Sequence, residues 1–417
     1  MEICFWRICF SLLYKGLQFV MSVNFKFPYN GQTVDVEDYY VRIDPFTQGT
    51  LWTCGLNNNG QLGDNTTVDK SSPVQTVAFG STWKQIYHGN THSIGLKTDG
   101  TMWTWGANAN GQLGDNTTVS KSSPVQAVTF GSNWVTAAAG LNFSAAIKND
   151  GTLWLWGANT SGQLGDNTTV NKSSPVQAVT TGTNWLTVSC GYADTFAIKT
   201  LGTLWGWGLN GQGQLGDNTI VNKSSPVQTI SLTSNWVQVS CSGVDTNNNS
   251  TIALKSNSTL WAWGSNASGQ IGDNTTVSKS SPVQTVTFAT NWKSCSINAQ
   301  ASVGIKTDGT LWTWGSNAKG QLGDNTAVNK SSPIQTVSNV KTWIKVSMGY
   351  SAATAVKSDG TLWTWGNNSN GQLADNTTVN KSSPVQTTLF GSNWKTMGLS
   401  GGADKKTGFI YRVDPFI

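Results

Sequence analysis

Apolar and polar positions alternate along this chain in short bursts and never settle into a sustained 3.6-residue period. In the burst Met102-Trp103-Thr104-Trp105, residues two apart share one face of an extended strand, so both indoles point the same way. Gly, Asn, Asp and Ser-Pro punctuate the bursts. Residues 100–151 are expected to hold four strands, Met102–Trp105, Pro124–Val128, Val135–Ala139 and Ser144–Lys148. Thr98-Asp99-Gly100 and Asn149-Asp150-Gly151 suit the hairpin turns between them, because Asp-Gly and Asn-Gly accept the positive φ of tight turns. With 45 glycines and abundant Asn and Thr, the chain disfavours helices. The expected unit is a four-stranded antiparallel sheet.

That unit recurs. Blocks of the Gly-Thr-Leu-Trp-x-Trp-Gly type begin at Gly49, Gly100, Gly151, Gly202, Ser258, Gly309 and Gly360, five times 51 residues apart and once 56. A fixed period near 50 marks a repeat architecture in which no unit buries its own apolar face. A third indole follows each block at a fixed offset, as at Trp134 and Trp185. Together these positions hold 20 of the 21 tryptophans, Cys54 standing in the remaining one and Trp6 lying outside. Two readings of the indoles are open: a core wedged between sheets, or an aromatic platform for sugars or bases. Small-residue runs such as Ala137-Ala138-Ala139 and Val188-Ser189-Cys190 suit strands that converge on an axis. The expected fold is all-β, a seven-bladed propeller of four-stranded blades over 39–417, with 1–38 as an N-terminal arm. Tyr40–Phe46 resembles Tyr411–Phe416, so one blade is expected to combine strands from both termini and so remove exposed edges.

The run Trp-Gly-x-Asn-x-x-Gly-Gln-Leu-Gly-Asp-Asn, followed by Pro-Val-Gln and a small-residue strand, resembles the regulator of chromosome condensation repeat, and propellers of this style are also encoded by phages. The resemblance covers residues 39–417 and implies a propeller of such units. The family's frequent Gly-x-x-His-Ser/Thr turn is kept only at Gly89–Ser93. Two activities known in the family do not transfer. The nucleotide-exchange wedge has only a five-residue insertion here, within Gly243–Ser250, and the photoreceptor motif Gly-Trp-Arg-His-Thr is absent.

The formal charge is +5, with Arg7, Arg42 and Arg412 the only arginines, which argues against dedicated nucleic-acid reading. One lysine per unit (Lys70, Lys121, Lys172, Lys223, Lys279, Lys330, Lys381) is expected to form a ring, either a solvated rim or a weak attractor of anionic glycans. The six cysteines lack metal spacing and suit free buried thiols. Arg7 and Lys15 interrupt the apolar start, so neither a membrane span nor a secretory signal is expected there, and Met21 offers an alternative start.

No constellation suggests catalysis, a metal or a cofactor. The Asp of each Gly-Asp-Asn loop suits an Asx turn better than calcium, which wants several carboxylates. The two histidines, His88 and His92, have no companion ligand beside them. The turn after the small-residue strand, however, differs in every unit. Its candidate binding residues are His88, Asn90, His92, Asn142, Phe143, Tyr192, Asp194, Asp245, Asn247, Asn298, Gln300, Tyr350, Lys405 and Lys406. Variation on an otherwise constant frame suits a recognition surface, and drift in unconstrained turns explains it equally well. The expected function is a non-catalytic interaction propeller that engages a protein or glycan, in an extracellular or virion-surface setting suggested by the Asn/Thr/Ser-rich, Arg-poor composition. An intracellular regulator of a small GTPase or of chromatin is the alternative, implied by the family resemblance alone.

Overall fold

The computed structural model describes residues 26–29, 32–35, 50–55, 57–77, 83–128, 132–179, 182–230, 234–242, 248–286, 289–298, 300–338, 340–349, 351–369, 373, 375–387, 394–399 and 407–412. The chain divides into two compact units, Met1–Thr47 and Gln48–Ile417. In the first, Lys26–Tyr29 and Gln32–Asp35 pair as an antiparallel hairpin.

The second unit is all β. Blade one runs from Trp83 to Gln126 and blade two from Trp134 to Gln177. Blade three spans Trp185–Gln228, blade four Trp236–Gln284, blade five Trp292–Gln335 and blade six Trp343–Gln386. Each has four antiparallel strands in chain order. In blade two these are the inner strand Trp134–Ala139, the second strand Phe143–Lys148, the Trp strand Leu153–Gly157 and the outer strand Lys172–Gln177.

The expected count of seven blades is corrected: six are whole among the described residues. A whole blade needs an inner strand and the three that follow it in one run. The first unit opens on its Trp strand and the last ends on its second strand, so only six runs are uninterrupted. The remaining strands pair as one further sheet, in the order Trp394–Leu399, Thr407–Arg412, Thr50–Gly55, Lys70–Gln75. Of the two segments expected to meet at this closure, Tyr40–Ile43 lies outside the described residues.

The two indoles of each Trp strand divide the work. Trp156 is fully buried, and its Nε1 donates to the Gln112 carbonyl of the preceding unit at 2.9 Å; Ser144 Oγ donates to the same oxygen at 2.8 Å. Trp154 is only half-buried. Its Nε1 donates to Thr152 Oγ1 at 2.9 Å, and the Lys148 ammonium lies 4.9 Å from its ring centre and 5.0 Å from that of Trp134. The core reading therefore holds in full for the second indole, whereas the first forms a lysine sandwich at the blade's edge.

The Gly-Gln-Leu-Gly-Asp-Asn loop is the latch between blades. Asn108 is buried; its Nδ2 donates to Asp115 Oδ1 at 2.9 Å and its Oδ1 accepts the Leu113 amide at 2.9 Å. Asp115 in turn accepts the Thr117 amide at 3.0 Å, the expected Asx turn. Asn116, at φ 61°, donates its amide to the Ser173 carbonyl of the next blade at 2.9 Å. Gly114 has φ 65°, and a Cβ there would stand 2.7 Å from the Trp156 Nε1, so only glycine lets the indole seat against the loop.

Candidate functional site

The antiparallel registers decide which features share an end of the propeller. In blade one His92 pairs with Gly106, and Gly106 pairs with Lys121. The lysine ring therefore starts its outer strands at the same end as the varied turns. Nor is it a free solvated rim: each lysine is ion-paired with the Asp of its own loop, at distances from 3.3 Å (Lys381–Asp375) to 3.9 Å (Lys330–Asp324). Paired and only partly exposed, these lysines offer little to an anionic glycan.

At the varied turns the residue that opens each second strand tucks under the glycine or short turn before it. This position is His92, Phe143, Asp194, Ser250, Ala301 and Ala352 in blades one to six. All six are buried, so Phe143 and His92 are core groups rather than turn-tip anchors. Phe143 packs in the cluster of Leu155, Trp185 and Trp207. His92 Nε2 lies 3.0 Å from Ser144 Oγ in the next blade; that hydroxyl already gives its proton to Gln112, so Nε2 carries the hydrogen and donates. By the same logic His88 Nδ1 donates to Ser93 Oγ at 3.1 Å, because Ser93 donates to the Gln61 carbonyl. Burial holds both imidazoles neutral, pushing His88 down to about 3, helped by His92, and His92 down to about 4.

Asp194 is the exception. Its carboxylate is fully buried, and neither oxygen has a partner of good geometry among the described residues. Burial raises its pKa to about 7, opposed by the amides of Ala193 and of Asp194 itself. The same field raises the thiols of Cys190 and Cys241, whose first cause is burial. Asn90 Oδ1, His92 Nδ1 and both amide atoms of Asn249 are likewise buried without partners. Such groups are uncommon in folded proteins, and they occur at the other end of the blades as well, at Asn133, Asn184, Asn235 and Asn291 Oδ1.

The varied turns surround a cavity of 160 Å³ at the end of the axis, lined among others by His88, Asn90, Cys190, Cys241, Asn298 and Met348. Of the expected site residues, His88, Asn90 and Asn298 meet there. Asn142, Tyr192 and Gln300 are half-buried in their turns, outside its lining. Asp245, Asn247, Tyr350, Lys405 and Lys406 lie outside the described residues. Sequence reasoning missed Cys190, Cys241 and Met348. Their signal was available: each ends an inner strand, the position of His88 in blade one. Among the described residues no group of three or more His, Cys, Asp and Glu is placed to hold a metal. No described helix is long and apolar enough to cross a membrane.

With this geometry in hand, residues 50–406 match the family model described as RCC1-like domain. The chain belongs to the RCC1-like domain family. It is 28% identical over 288 residues to the ultraviolet-B receptor UVR8 of Arabidopsis thaliana, covering 68% of this chain and 64% of the receptor. To the human E3 ubiquitin-protein ligase HERC2 it is 27% identical, covering 81% of this chain but 7% of the ligase. The chain thus spans under two thirds of either relative. The yeast RCC1 (Prp20) structure, solved with Kap60, superposes with a TM-score of 0.77 at 17% identity, covering 88% of this chain and 90% of that one. At that identity the likeness concerns the fold.

Proposed function

We propose that this RCC1-like propeller is a non-catalytic recognition module whose varied-turn end, around the axial cavity, engages a protein partner. One observation carries the reading. Residues that break the repeat, among them His88, Asn90, Cys190, Cys241, Asn298 and Met348, meet around one cavity. A frame that repeats with one differing cluster of side chains around a cavity is the arrangement in which a few anchors supply the binding energy. A glycan would meet the same polar groups, but the cavity is small for a sugar ring and offers no half-exposed indole. The setting at a cell or virion surface rests on composition alone.

The regulatory alternative draws on yeast Prp20p, a structural relative at 18% identity whose binding to Gsp1p and histones has been examined. No residue described in this chain adds to that reading. The test is affinity capture of the native partner, identified by mass spectrometry, then measured against a double variant Asn90→Ala/Tyr192→Ala. Binding is expected to weaken by about 1–2 kcal/mol with the unfolding midpoint unchanged. Lys121→Gln/Lys172→Gln is not a control for the opposite face, since these lysines start at the same end. Val135→Ser/Val237→Ser, at the other ends of inner strands, serves instead and is expected to leave binding intact. If the Val pair abolishes capture and the turn pair does not, the assigned end is wrong.

A further inference from the structure

At the end opposite the varied turns, blade three departs from its sisters. The hairpin between second strand and Trp strand carries an aspartate in blades one, two, five and six: Asp99, Asp150, Asp308 and Asp359. Each accepts two hydrogen bonds from the threonine two residues on. Asp150 Oδ1 takes the Thr152 amide at 2.9 Å and its hydroxyl at 2.7 Å. Asp99 does the same with Thr101, at 2.9 and 2.6 Å. Each carboxylate also interacts with the lysine two residues before it: Lys97, Lys148, Lys306 and Lys357 respectively. A carboxylate at this corner thus has a defined seat, made of one amide, one hydroxyl and one ammonium held over two indoles.

Blade four keeps the two hydrogen bonds without the charge, through Asn257 Oδ1 at 3.2 and 2.7 Å. Blade three keeps neither, because Leu201 stands in the aspartate's place. The rest of the seat is unchanged. Thr203 Oγ1 still accepts Trp205 Nε1 at 3.1 Å, and the Lys199 ammonium still lies 4.8 Å from the ring centres of Trp185 and Trp205. Among the described residues, however, the Thr203 amide and hydroxyl reach no acceptor, and no carboxylate faces Lys199. Leu201 is 74% exposed, and Leu186, also at this end of the blade, is 53% exposed.

We propose that the Lys199–Thr203 corner of blade three binds the carboxylate of an acidic residue in an apolar segment of a partner protein. The partner supplies in trans what Asp150 supplies in cis one blade away. Charge complementarity sets the sign, for an ammonium and two donors converge where four sister blades place a carboxylate. Leu201 and Leu186 set the class: a free carboxylic acid gains nothing from them, whereas a peptide with an apolar residue next to its acid covers both. This site lies apart from the varied turns and does not depend on the function proposed for them.

The test is an amide-resolved NMR titration of the full chain with three probes: a peptide of alternating Glu and Leu, its Gln-for-Glu counterpart, and sodium acetate. The Glu peptide is expected to shift the Thr203 amide, and the Gln peptide to bind roughly tenfold or more weakly, as loss of charge-assisted hydrogen bonds requires. Acetate is expected to bind more weakly than the Glu peptide. Leu201→Asp rebuilds the internal carboxylate of the sister blades, so the variant should fold, keep or raise its unfolding midpoint, and lose the Thr203 response. Asp150→Leu should create a second response, at Thr152. The proposal is overturned by a silent Thr203 amide, by equal binding of the Gln peptide, or by a response that survives Leu201→Asp. Acetate binding as tightly as the Glu peptide would overturn the assignment to a protein segment.

Discussion

The Gly-Asp-Asn loops and the varied turns leave the same end of each blade, yet they are built on opposite terms. In the loops nearly every polar group is answered. Asn108, Asp115, Thr117 and Asn116 form one hydrogen-bonded frame that reaches into the next blade. In the turns Asp194 and Asn249 are buried and Asn90 is half-buried, each with polar atoms unanswered. The loops repeat almost letter for letter because each letter is bonded to a neighbour. The turns differ because their shape is set by the tight closure behind them, such as the Gly89 amide on the His92 carbonyl at 2.9 Å, and not by their side chains. Packing fixes the first region and leaves the second free to vary.

The comparison breaks most violently at the latch. Trp156→Ala should cost about 3–5 kcal/mol in chemical denaturation, since it empties a fully buried indole site and strips the Gln112 carbonyl of a donor. Gly114→Ala follows, at about 2–3 kcal/mol, because it combines a positive φ with a Cβ pressed into that indole. A loss below about 0.5 kcal/mol for either would remove the loop from its structural role.

In the turns the sign reverses. Asp194 titrates near 7 in the fold against 3.8 as an ordinary side chain. The folded state then binds the proton more tightly, so stability is highest at low pH and falls as pH climbs from about 4 through 7. Asp194→Asn should remove this slope and stabilise the protein on the order of 1–3 kcal/mol at pH 8, with little change at pH 4. Unfolding midpoints at the two pH values check it, and an Asn variant less stable at pH 8 would show that the carboxylate is paired after all. The smallest effect belongs to the ring. Lys121→Gln should shift stability by less than about 0.5 kcal/mol, because the ion pair with Asp115 at 3.8 Å is long and partly solvated.

Much of this could be read in the chain. The strands, the Asx turns and an indole core follow from a period of two inside a period of 51, and the matched family confirms the unit. Four things could not be read. Trp154 and Trp156 share a face, but whether an indole is wedged between blades or laid at the edge depends on the neighbouring blade's loop. Phe143 and His92 look like turn residues in sequence, yet they open a strand and point beneath the preceding glycine. The end at which the lysine ring sits is hidden because loop length conceals direction; only the pairing of Gly106 with both His92 and Lys121 shows that it shares an end with the turns. The shared strand-end position of Cys190, Cys241 and Met348 is legible in the repeat, but the cavity they enclose is not, since they become neighbours only once the blades close.

Hydrogen–deuterium exchange of the full chain, with and without its captured partner, tests the central claim most directly. Protection confined to segments 88–92, 140–143, 191–195 and 296–300 is the predicted result. Protection that spares these turns and falls on the Gly-Asp-Asn loops would contradict the division between a fixed frame and a recognising end.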